Sequence, residues 1–211
     1  MHLYCIPKMT KKERSLQHIS FALYLFLCIC FAVLSFGVCI SQTTDLYRDF
    51  RADATLVSAA LKIARGEVGI REKGHNRGEV VKYQKSVGNP IGSPYCYSGI
   101  YFCFDSASRK LKKKNFLLRT GLASAGRLHL EKKAVNSRKL GTVGLVFWQY
   151  PRQVTGHVEL FFQQLQGGWV RCVGFNTGGN NPRDGGGVKY TVRNIQHPLA
   201  RMQLKRFICF V

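Results

Sequence analysis

The hydrophobic period of this chain changes once, near Gly141, and that change limits the fold more than any other feature. Upstream, Leu56, Val57, Ala60, Leu61, Ala64 and Val68 recur at helical spacing, with Asp53 or Thr55 placed to cap the start. A polar, glycine-rich loop follows, then a short helix on Val80, Val81, Gln84 and Val87 that Gly88-Asn89-Pro90 ends, then a helix from about Tyr95 to Ser108. Downstream, residues 143–150, 157–165, 169–175, 188–192 and 204–211 have strand character, and Gln166-Gly167-Gly168 supplies a hairpin turn. Helices first and an antiparallel meander afterwards specify an α+β domain with its helices packed on one side of the sheet.

Residues 19–40 carry no charge, are dominated by Phe, Leu, Ile and Val, and follow Lys8, Lys11, Lys12 and Arg14. A basic flank before an apolar run of membrane-spanning length is the pattern of a secretory signal or of an anchor, so residues 1–41 are expected to direct export. Residues 42–53 then form a linker, and residues 54–211 a single domain large enough to bury one core. The expected location is the periplasm, the cell envelope or the medium, with residues 19–40 as part of a cleaved signal or as an inner-membrane tether.

The chain's net charge of +21 favours polyanionic partners. Much of it lies between Arg109 and Leu140, where an exposed connection with one weak helix near Leu122 to Leu130 is expected. That stretch is either a solvated loop or a docking surface for acidic cell-wall polymers; an exported domain has little occasion to meet nucleic acid, which is not an expected partner. Four of the eight cysteines lie in or before the apolar run, leaving Cys96, Cys103, Cys172 and Cys209. Cys96 and Cys103 share a helix face but sit two turns, roughly 10.5 Å, apart, too far for a disulfide. No spacing matches a zinc site, and no metal or cofactor is expected.

Cys96 follows Pro94 at what reads as the first turn of a buried helix. Free N–H groups and the dipole at a helix start favour negative charge, so a thiol there ionises more readily and becomes a nucleophile. Its base is expected to be His157, which opens an apolar strand after Gly156, whereas His75, His129 and His197 sit in polar loops or beside Pro198. Asn176, at the end of the next strand, is placed to orient the imidazole. Cys, His, Asn is the chain order of a thiol hydrolase. Cys103, between Phe102 and Phe104, belongs to the core, and Cys172 and Cys209 are packing residues in strands.

From about Ala59 to Phe210 the chain resembles cysteine peptidoglycan hydrolases of the CHAP branch of the NlpC/P60 superfamily. The resemblance rests on motifs in order. Gly66-Glu67-Val68-Gly69-Ile70 and Gly74-His75-Asn76 come first, then Pro94-Tyr95-Cys96-Tyr97, where the family has Pro-Trp-Cys-Ala. Gly141 to Phe147, Gly156-His157-Val158, Gly174-Phe175-Asn176-Thr177 and the glycine-rich run from Arg183 to Tyr190 complete the series. No single motif is specific, but the series in order is; the resemblance implies a papain-like fold and a monomeric hydrolase acting on peptide or amide bonds of peptidoglycan stem peptides. Its catalytic residues would be Cys96, His157 and Asn176. The family's glutamate beside the imidazole falls on Gly174, so Asn176 is left to orient His157; the alternative implied by that loss is a weakened or inactive wall-binding adaptor.

Overall fold

The computed structural model describes residues 46–178 and 186–211. Among the described residues, four α-helices and seven strands make a mixed α+β domain: β1 (Tyr47–Phe50), α1 (Ala54–Gly66), α2 (Val81–Val87), α3 (Cys96–Leu111), α4 (Ala123–Glu131), β2 (Val135–Ser137), β3 (Gly144–Gln149), β4 (Gly156–Leu165), β5 (Trp169–Gly174), β6 (Lys189–Asn194) and β7 (Gln203–Phe210). Asp53 caps α1 by accepting from the Thr55 and Leu56 N–H groups at 3.0 and 3.1 Å. Gly88, at φ 80°, ends α2 in the left-handed conformation open to glycine. The expected weak helix in the basic stretch is α4.

The sheet order is β2-β1-β7-β3-β4-β5-β6. Strands β3 to β6 form the expected meander. The last strand does not extend it: β7 returns to the opposite side of β3, antiparallel to it. Strand β1 lies in the stretch expected to be a linker, and it pairs in parallel with β7, from Tyr47 against Phe207 to Phe50 against Phe210. Neither β1 nor β2 carries enough apolar alternation to announce itself; each is held by its neighbours in the ladder. The apolar run of residues 19–40 lies outside the described residues. Among the described residues, no helix is long and apolar enough to cross a membrane.

Both faces of the central strands are buried, which is why these segments read as nearly continuous apolar runs. Leu145, Phe147, Val158, Leu160, Val173 and Ile208 face α1 and α3, where Leu56, Ala60, Ile100 and Phe104 complete the larger core. Val146, Trp148, Phe161, Cys172, Phe207 and Cys209 point to the other face and are covered by Met202, Leu204 and neighbouring loops. Phe116, from the loop after α3, lies between the rings of Phe50, Phe104 and Phe210, at centroid distances of 5.0, 5.2 and 5.3 Å, and ties β1, α3 and β7 together.

Candidate active site

Helix α3 begins at Cys96 with no side-chain cap, and Tyr95, the residue before it, sends its hydroxyl to Glu72 Oε2 at 3.3 Å. By their position, the N–H groups of the first turn have no intrahelical acceptor. Gln84 fixes the segment leading to them: its Nε2 donates to Asn76 O and Ser93 O, both at 2.7 Å, and its Oε1 accepts from Gly92 N at 3.3 Å. Tyr95 is buried and stacks on Tyr83 at 5.6 Å, and Tyr97 is buried against Gly126, where a Cβ would lie 2.1 Å from its ring. The two tyrosines that depart from the Pro-Trp-Cys-Ala pattern are therefore accommodated by complementary residues, a ring at Tyr83 and a missing side chain at Gly126.

His157 stands at the start of β4, and the Cys96 Sγ lies 4.0 Å from the carbonyl of Gly156, the residue before it. Gly156 lets β4 approach β3 this closely, since a Cβ there would lie 2.1 Å from Trp148 O. Strand alternation puts His157 and Glu159 on the same face, and the His157 Nε2 lies 3.1 Å from Glu159 Oε1. With Nε2 committed to the carboxylate, Nδ1 is the nitrogen left for the thiol. Burial of the imidazole opposes its charge, but hydrogen bonds to Cys96 and Glu159 outweigh burial and raise its pKa to about 9.

Glu159 is fully buried and holds more than the imidazole. Arg193 on β6 reaches it through Nε, at 3.1 and 3.0 Å to the two oxygens, and through a terminal nitrogen at 2.6 Å from Oε1. The Thr191 hydroxyl donates to Oε2 at 2.5 Å, and the same Arg193 nitrogen that meets Oε1 donates to Thr177 Oγ1 at 3.0 Å. Burial works against ionisation of Glu159, yet its hydrogen bonds to His157 and Arg193, and their positive charges, lower its pKa to about 2. The site therefore runs in a line from Cys96 through His157 and Glu159 to Arg193.

Glu159 was missed in the sequence because it sits within the apolar run Val158-Glu159-Leu160-Phe161, as a single charge in a buried strand. Its spacing two residues from His157 was the available signal. The carboxylate that the family motif leads one to seek at Gly174 comes instead from the facing strand: Gly174 pairs directly with Glu159, and a Cβ on Gly174 would lie 2.7 Å from Glu159 Oε1. Gly174 is the space into which Glu159 fits. Asn176 is buried just past β5, in the left-handed region at φ 55°. The group placed against Nε2 is the Glu159 carboxylate, at 3.1 Å.

Burial pushes Cys103 and Cys172 well above the ordinary thiol range and Cys209 up to about 11, and all four described cysteines are free. Among the described residues no cluster of three or more His, Cys, Asp or Glu is placed to hold a metal ion. Compared with protein-family models, curated proteins and solved structures, the chain matches none.

Proposed function

We propose that this chain is an exported cysteine amidohydrolase or endopeptidase that cleaves peptide or amide bonds of peptidoglycan stem peptides, with the papain-like architecture its CHAP-type motifs suggest. The observation that carries the reading is the line Cys96, His157, Glu159: a thiol at an uncapped helix start, a buried imidazole beside it and a carboxylate against the far ring nitrogen. Peptidoglycan as substrate rests on the motif resemblance and on the expected export through residues 1–41, and it sets the choice of assay.

In this mechanism the Cys96 sulfur attacks the scissile carbonyl carbon, and a C–S bond forms as the carbonyl electrons move to oxygen. The Cys96 N–H at the start of α3 donates to that oxyanion. His157, protonated, gives its proton to the leaving nitrogen as the C–N bond breaks, leaving a thioester. Neutral His157 then takes a proton from water, whose oxygen attacks the thioester, and the C–S bond breaks to return the thiolate. Glu159 holds the imidazole in place and stabilises its charge through both steps, and Arg193 and Thr191 hold Glu159. The adaptor alternative drew on the missing carboxylate; the presence of Glu159 against Nε2 supports the hydrolase reading over it.

Purified peptidoglycan incubated with the full-length chain in detergent should release new amino or carboxyl ends, and Cys96→Ala should abolish the release while leaving the fold intact. Equal release by Cys96→Ala, or none by the wild type from any wall preparation, would defeat the proposal.

A further inference from the structure

The far end of α3 and the segment after it bound two adjoining basins of about 470 and 460 Å³, and Arg119 lines both. Lys85 and Arg109 face the first; Arg51, Lys114 and Lys133 face the second. The acids in the lining already have partners, Asp105 with Arg109 at 2.9 Å and Asp53 with Lys113 at 2.6 Å. Lys85, Arg51, Lys114 and Lys133 have no acidic partner among the described residues. Arg119 Nε donates to Ser86 O at 3.0 Å, which fixes the guanidinium on the ridge between the basins and leaves its other N–H groups for a ligand.

Cations concentrated on one surface without counter-charges repel one another, and a bound polyanion relieves that repulsion. Guanidinium and ammonium groups spaced along a groove suit a chain of repeated phosphates better than a single small anion, because each phosphate meets its own donor. Aromatic rings do line the basins, Tyr101 and Phe102 in the first and Phe50 and Phe116 in the second, but these are buried or half-buried, and the exposed rings, Trp169 and Tyr190, stand on β5 and β6; the groove therefore offers charge without a fully exposed ring on which nucleic-acid bases would stack.

We propose that the Arg119 groove binds a phosphodiester-linked polyol polymer of the cell wall and holds the protein on the matrix that carries its substrate. The setting rests on the hydrolase reading, but the binding does not require catalysis. It is tested on the full-length Cys96→Ala chain in detergent, by its affinity for purified poly(glycerol phosphate). Lys85→Glu and Arg119→Glu should each weaken binding by about fivefold or more, and the charge-matched Arg201→Glu by less than about twofold. Lys85→Glu carries the test if Arg119→Glu, which also breaks the bond to Ser86, fails to fold. The proposal is overturned if Lys85→Glu binds like the parent, if Arg201→Glu loses as much, or if single-stranded DNA of equal charge binds as tightly. Failure of the hydrolase reading would show separately, as an intact stem peptide after incubation with the wild type.

Discussion

Glu159 carries two obligations at once, which makes it the most informative residue to change. It is the anion for His157 on one side and for the mostly buried Arg193 on the other. In Glu159→Gln the amide can still meet Nε2, but neither cation keeps its counter-charge. Leaving Arg193 without an anion should cost about 3 kcal/mol of stability, the usual scale for breaking one half of a buried ion pair. Losing the charge beside the imidazole should lower kcat/KM by about a hundredfold. The pH profile separates the catalytic from the structural effect. Hydrolysis needs the His157 proton for the leaving nitrogen, so wild-type activity should fall as pH rises through about 9. In Glu159→Gln one of the groups that raises the imidazole pKa is gone, and the same fall should come at lower pH. An unmoved alkaline limb would mean that Glu159 is structural only.

At the scale of elements, the site depends on the ladder between β4 and β5. Gly174 faces Glu159 across that ladder, and any side chain at Gly174 enters the volume of the carboxylate. Gly174→Glu should therefore abolish hydrolysis and destabilise the domain by about 1–3 kcal/mol, the cost of overpacking. Thermal unfolding and a stem-peptide assay would check this, and gain of activity would show that a carboxylate is wanted at Gly174 after all. The sequence made much of this geometry legible. Period and turn residues revealed α1 to α4 and β3 to β7, and Pro94 before Cys96 marked the helix start. What stayed hidden depends on pairing across the chain. Tyr47–Phe50 become a strand only because β7 offers an edge, and Glu159 finds its role only once β6 brings Arg193 and Thr191 beside it. A single sequence shows which residues alternate along a strand, but not which strand will face which.

Across the whole molecule, two buried layers hold the sheet rigid while the chemistry sits at its rim. The helix face and the opposite face each have a packed core, and β4 runs between them with His157 near its beginning and Glu159 one pleat inward. The same arrangement links the site to stability. The imidazole pKa is raised from 6.5 to about 9, so its contribution to folding is complete below 6.5 and is lost as pH rises through about 9. Glu159, lowered from 4.5 to about 2, contributes fully above 4.5 and is lost as pH falls through about 2. Between 4.5 and 6.5 both contributions are intact. The most direct test of the catalytic line is an NMR titration of the His157 imidazole in the full-length chain, repeated in Cys96→Ala. The wild-type ring should lose its proton near pH 9, and the midpoint should fall in the variant because the thiol is one of the groups that holds the charge. A wild-type midpoint at or below 6.5, unchanged in Cys96→Ala, would contradict the pairing of Cys96 with His157.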